Sequence, residues 1–263
     1  MIEDIRFDQG RPFDWGRTSK NYAKYRDIYP ETFFKHILKR NIGLPGQKIL
    51  DVGTGTGVLP RHMFSFGADW TGADISEAQI IEAERLSGEG GMKIPFVVSS
   101  AENLDFPDES FDAITACQCF WYFDHEKTTQ VFSKLLKKDG RLVFLMMAWL
   151  PGEDIIAYET EKLVLKHNPS WTSGGETRHL ISIPEEVLKQ FEVVYEDTFL
   201  LNVPFTRSSW NGRIKACRGI GASLSDASIA VWEKEHVALL DRIAPEHFDV
   251  LHYAAITEMK LKS

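Results

Sequence analysis

The chain has 263 residues, 43% hydrophobic and 26% charged, with a formal net charge of −8. That length and apolar content suffice for a full core without disulfide or metal staples. The acidic balance argues against nucleic acid as a partner, because phosphate binding needs clustered Lys and Arg, and no apolar run is long enough to span a membrane.

Residues 1–16, MIEDIRFDQGRPFDWG, are charged and polar, unlike a signal or transit peptide, so a cytoplasmic protein is expected. Tyr22, Tyr25, Ile28 and Tyr29 recur at helical spacing up to Pro30. Pro30 with Glu31 opens a second helix, with Phe33, Phe34, Ile37 and Leu38 on one face. After the loop Gly43-Leu44-Pro45-Gly46, a strand runs from Lys48 to Val52. A glycine-rich turn follows, then a short helix from Val58 to Phe66 that tolerates Pro60 in its first turn. Asp69 to Asp74 is a second strand, and Ser76 is a candidate cap for a helix from Glu77 to Leu86.

Pro95 to Ser99 is a third strand and Phe111 to Cys117 a fourth. A helix from Thr128 to Leu136, a turn at Asp139-Gly140 and a fifth strand from Arg141 to Met147 complete the pattern. The three cysteines Cys117, Cys119 and Cys217 are an odd number, which fits a reducing compartment. No metal is expected, since one Cys117-Gln118-Cys119 lacks the second ligand pair of a zinc site. Residues 153–168 read as helix, 168–175 as loop, 184–190 as a short helix and 191–201 as a strand. Residues 207–244 read as helix broken near Gly219-Ile220-Gly221, and Phe248 to Met259 is a last strand that can run antiparallel.

Strands alternating with helices define an α/β chain with a doubly wound, Rossmann-like, mostly parallel sheet, an antiparallel last strand and a helical cap. The expected organisation is an N-terminal helical cover (1–40), a Rossmann-like core (41–150), and a cap insertion with the final strands (151–263).

The stretch ILDVGTGTGVLP, Ile49 to Pro60, lies at the first strand-to-helix turn, where open parallel sheets bind ligands. Glycines there reach tight dihedrals and let a ligand approach the backbone, and amides at a helix start suit an anionic group. A dinucleotide fingerprint fails: GxGxxG started at Gly53 ends on Val58, and started at Gly55 ends on Pro60. A P-loop fails because no Lys follows. Asp74, at the end of the second strand, stands where a carboxylate can accept both ribose hydroxyls of an adenosine; alone, it reads as a turn or capping aspartate. After the third strand, SSAENLDFP (Ser99 to Pro107) offers Ala101, small enough for an adenine, and Glu102, a solvated charge or an adenine neighbour.

DVGTGTG, Asp74, SSAENLDFPDESFD and ITACQCFWYF, in this order and spacing, resemble a class I S-adenosylmethionine-dependent methyltransferase of the small-molecule type 11 and aconitate-methyltransferase-like group, over residues 20–150. The resemblance implies S-adenosylmethionine as cofactor and S-adenosylhomocysteine as product. It places Asp51, Gly53, Thr54 and Gly55 along the methionine side, Asp74 on the ribose, and Ile75, Ala101 and Glu102 around the adenine. Cys117 and Gln118 lie beside the methionine portion. NYAKYRDIYP is similar to a helix that closes over the cofactor in these relatives, with Tyr22, Tyr25 and Arg26 as candidates. Trp121-Tyr122-Phe123-Asp124 stands where relatives carry His-Trp-Phe-Asp, which removes a base at the first position.

Methyl transfer from a sulfonium needs alignment and exclusion of water, and a base only where the acceptor must lose a proton. Acceptor-side candidates are Trp121 and Tyr122, whose faces favour a cation and which otherwise read as core, with His125, Arg178, His179, Arg207 and Trp210. Arg207 with Trp210 is the pair expected to hold an acidic, carboxylic acceptor. The competing reading is a non-catalytic protein that binds the cofactor or its product. The acceptor and the oligomeric state are not written in the sequence.

Overall fold

The computed structural model describes residues 4–25 and 27–262, without the side chains of Lys20 and Tyr22. In chain order the helices are α1 Ser19–Tyr25, α2 Glu31–Lys39, α3 Val58–Met63, α4 Glu77–Glu89, α5 His125–Leu135, α6 Ile155–His167, α7 Glu185–Leu188, α8 Arg207–Lys215 and α9 Asp226–Ile243. The strands are β1 Lys48–Val52, β2 Asp69–Asp74, β3 Phe96–Val98, β4 Phe111–Cys117, β5 Leu136–Trp149, β6 Phe191–Thr206 and β7 His247–Leu261. They form one sheet in the order β3-β2-β1-β4-β5-β7-β6.

β3, β2, β1, β4 and β5 pair in parallel. The last two strands are antiparallel to their neighbours. The Leu150 amide donates to the Leu251 carbonyl while Arg141 meets Glu258, so partner numbers fall along β5 as its own rise. Lys262 donating to Gln190, with Lys260 against Glu192, shows the same for β7 and β6. The expected fold class is therefore the observed one.

The chain divides into two compact units. The first comprises Met1–Pro30, Ala148–Arg178 and Leu200–Tyr253; the second comprises Glu31–Met147, His179–Phe199 and Ala254–Ser263. In the second, β1 lies between β2 and β4, which explains why its apolar residues Ile49, Leu50 and Val52 are all buried. β6 is an edge strand. The His36 ring of α2 stacks on Phe199 at 3.7 Å, and the Arg40 guanidinium sits 3.8 Å over the Tyr195 ring. Glu258, buried, takes both Arg40 and Arg141. In the first unit, the Trp210 indole donates to Thr160, which meets His236, whose other ring nitrogen meets Asn211. A buried ion pair joins Asp8 to Arg218 at 2.8 Å.

Several boundaries differ from the sequence reading, and four features among them have a plain physical reason. α5 starts at His125, three residues early, because Asp124 caps it by accepting from the Lys127 amide. α4 continues through Gly88 to Glu89 with Ser87 buried beneath it. The Asp139-Gly140 turn lies inside β5 as an irregularity: Phe111 faces Leu136, yet Ala113 already faces Arg141. β6 runs five residues past Leu201, through Pro204, which an edge strand tolerates.

Candidate cofactor site

The site belongs to the second unit and is built at the carboxyl ends of β1, β2 and β4. Gly53, Gly55 and Gly57 all have positive φ, at 65°, 57° and 71°, the left-handed region that favours glycine. At two of them the missing side chain serves the protein's own packing. A Cβ on Gly53 would lie 2.6 Å from the Cys119 sulfur, and one on Gly57 would lie 2.8 Å from the Phe96 ring. The Cys119 thiol donates to the Val52 carbonyl at 3.1 Å, and burial beside the Asp51 charge pushes its pKa well up, so it stays a thiol. Among the described residues no His, Cys, Asp and Glu group could hold a metal.

The loop is fixed from both flanks. The Thr54 amide donates to Ala73 on β2, and the Gly57 amide to Thr54. Asp51, buried at the end of β1, accepts the Thr54 hydroxyl on one oxygen and the Thr115 hydroxyl of β4 on the other, each at 2.6 Å. Burial pushes its pKa up to about 7, opposed by the two hydroxyls and aided by the neighbouring Asp74 charge.

Asp74 accepts the Gly55 amide on one carboxylate oxygen at 2.8 Å and the Ser76 amide on the other at 2.9 Å. Burial raises its pKa, while these two amides pull it back. Ser76 occupies the expected N-cap position of α4, but its side chain makes no capping bond. Asp74 thus is the turn aspartate that the sequence allowed. It also keeps a spare lone pair on each oxygen, since an ionised carboxylate offers about four acceptor positions. Ile75, next to it, is 64% exposed, unusual for an isoleucine at a sheet end.

Ala101 is buried at the start of a short 3-10 turn, and Glu102 accepts the Asp124 amide at 3.0 Å. Cys117 ends β4; Gln118 has φ 61°, uncommon for a residue with a side chain, and its amide donates to Leu145. Trp121 and Tyr122 lie half-buried in a 3-10 turn, with Phe120 packed on Trp121 and stacked on Phe144. His125 is the first residue of α5. His179 is exposed beside Leu180, whose carbonyl lies 2.6 Å from Nδ1, and Arg178 precedes it.

The remaining candidates belong to the first unit or fall outside the description. Tyr25 packs its ring over Gly212 of α8. Arg26 lies outside the described residues, as does the Tyr22 side chain. The Arg207–Trp210 clamp is not formed: Trp210 has no exposed surface and is a core residue. Arg207 donates to the Ala244 carbonyl and pairs with Asp241. Sequence reasoning missed Cys119 beneath Gly53 and the left-handed backbone at Gln118. Only the small residue and the polar run after β4 could have hinted at them.

A central parallel sheet with a glycine loop after β1 and a carboxylate ending β2 makes a Rossmann-like domain, a fold whose ligands bind beyond the carboxyl ends of the strands. Residues 50–144 match the family model described as methyltransferase domain, of type 11. That match spans a little over a third of the chain. The chain is similar to a sterol 24-C-methyltransferase of Gibberella zeae, with 34% identity over 50% of the chain and 37% of that protein. It is similar to a ubiquinone biosynthesis O-methyltransferase of Idiomarina loihiensis, with 30% identity over 61% of the chain and 65% of that protein. The chain thus spans about a third and just under two thirds of these relatives' lengths. The solved structure of YcgJ from Bacillus subtilis shares the fold at TM-score 0.50 and 21% identity, covering 89% of this chain and all of that one. No described helix is long and apolar enough to cross a membrane.

Proposed function

We propose that the chain is an S-adenosylmethionine-dependent methyltransferase acting on a small molecule. The observation that carries this is the Asp74 carboxylate: it clamps the glycine loop through one amide on each oxygen and retains one acceptor position on each for a ribose diol. The residues fit the cofactor. Exposed Ile75 offers an apolar shelf for a flat base, with Ala101 leaving it space. Gly55, Cys117 and Gln118 supply backbone and small side chains for the methionine portion. Trp121 and Tyr122 present half-buried rings suited to a sulfonium. When bound, the cofactor supplies a methyl group already activated for displacement. The residues orient it, hold the loop rigid and exclude water.

The curated relatives are named for quinone and sterol substrates. They support a small organic acceptor, and nothing on the chain supports a carboxylic acid over other classes. The test is calorimetric titration with S-adenosylmethionine, S-adenosylhomocysteine and NAD. Binding of the first two without NAD is expected. Binding of NAD alone, or of none, would overturn the proposal.

A further inference from the structure

A chain of hydrogen bonds in the first unit runs from its core to its surface with a single polarity. Asn211 gives its side-chain N–H to Glu233 at 3.1 Å, so its oxygen faces His236 as an acceptor. The His236 Nδ1, 2.9 Å away, therefore carries the proton. Burial pushes the His236 pKa down to about 3, so Nε2 is bare and accepts the Thr160 hydroxyl at 3.2 Å. Thr160 in turn accepts the Trp210 indole N–H at 3.0 Å. Every donor in this chain points toward the Glu233 carboxylate, and aligned hydrogen bonds polarise one another.

Glu233 stands in the wall of a half-open cavity of about 310 Å³. One wall is a face of α9, where Asp226, Ile229, Ala230 and Glu233 recur at helical spacing. Arg17, in the 3-10 turn before α1, and Lys215, the last residue of α8, supply the facing charges. Gly221, in the π-helical turn Arg218–Ala222, completes the lining; a side chain there would run into the Lys215 carbonyl. Such π-helical turns are frequent at functional sites. All these residues belong to the first unit.

The charged lining is two cations and two carboxylates, each already paired. Lys215 lies 2.8 Å from both Glu233 oxygens, and Arg17 lies 2.8 Å from Asp226. Asp226 is almost fully exposed, and an exposed pair is worth little, so exchanging it for a ligand costs Arg17 little. A guanidinium has more donors than the two that Leu224 and Asp226 take. An anion alone would also face Glu233 and Asp226, and a cation alone would also face Arg17 and Lys215. A molecule with both charges meets an opposite partner at each end, and Ile229 and Ala230 offer apolar surface to its middle.

We propose that this cavity binds a small aliphatic zwitterion of the amino-acid class, its carboxylate on Arg17 and its ammonium on Glu233. The ammonium takes Oε2, since Asn211 already donates to Oε1. The inference does not rest on the methyltransferase reading.

The test titrates the whole protein, labelled with 15N-histidine, with leucine, 4-methylpentanoate and 3-methylbutylamine. The last two lack the ammonium and the carboxylate respectively. Leucine should shift the His236 Nδ1–H resonance, because its ammonium alters the charge at the head of the chain. By calorimetry each single-charge probe should bind about tenfold more weakly or worse, the loss of one charge-assisted hydrogen bond. Glu233→Gln should weaken leucine about tenfold and leave 4-methylpentanoate no weaker; Arg17→Ala should weaken leucine and leave the amine no weaker. No His236 shift at millimolar leucine, or a single-charge probe as tight as leucine, would overturn the proposal. Both are read on the unmodified protein, so a variant that fails to fold does not remove the test. Repeating the titration with saturating S-adenosylhomocysteine keeps leucine out of the proposed cofactor site. Failure of that cofactor to bind would overturn the methyltransferase reading and leave the His236 result interpretable.

Discussion

At the scale of single residues, the proposed cofactor site asks the same atoms of Asp74 to scaffold the loop and to bind. Because Asp74 holds the Gly55 and Ser76 amides, Asp74→Ala should weaken adenosyl binding by about 1.5–3 kcal/mol and also lower the melting temperature without ligand. Calorimetry and thermal unfolding of the same samples check both; an unchanged melting temperature would show that the loop does not depend on the clamp. Gly53→Ala meets two penalties, a positive φ and collision with Cys119. It should cost about 1–3 kcal/mol. Cys119→Gly in the same chain should recover the steric part and leave the backbone part. A double-mutant cycle by denaturant unfolding separates them, and strict additivity would refute the contact. Asp74 was legible in the sequence because position and residue type coincide. Cys119 was not, since a contact across strands has no local signature.

At the scale of elements, β1, β2 and β4 have the boundaries that the sequence indicated, because each is a short stretch with buried residues that ends at a turn signal. β5 and β6 were misjudged where a rule of local chemistry met a tertiary exemption: a pairing irregularity absorbs Asp139-Gly140, and an edge absorbs Pro204. The junction of β1 with β4 carries a pH signature. Asp51 has a folded pKa of about 7 against an unfolded value near 3.8, so the folded state binds the extra proton between them. Its stabilising contribution is complete below about pH 4 and is lost as pH rises through 7, at up to about 1.4 kcal/mol per pH unit. Asp51→Asn should flatten that part of the stability curve, measured by urea unfolding from pH 4 to 8; an unaltered slope would mean that Asp51 ionises normally.

At the scale of the molecule, the two units should respond to acid with opposite signs. His236 and His252, both in the first unit, have folded pKa values pushed down to about 3 by burial. Their contribution is complete above the unfolded value near 6.5 and is lost as pH falls toward 3. Between pH 6.5 and 4 the first unit should therefore lose hydrogen-exchange protection while Asp51 supports the second. Uniform loss across both would refute this. The sheet with its cofactor loop was readable from sequence; the grouping of distant segments into units was not, because it depends on contacts between residues more than a hundred positions apart.

That grouping bears on how the chain is made. Each unit is assembled from three separated segments, and the first needs residues up to Tyr253 while the second needs the stretch from Ala254 onward. Translation delivers residues in order, so neither unit can close while its last segment is still in the ribosome. A nascent chain stalled near residue 200 would hold all five parallel strands but lack β7, leaving β5 without its antiparallel neighbour. Such a chain exposes a bare strand edge, a ready template for pairing with another chain until β7 is made.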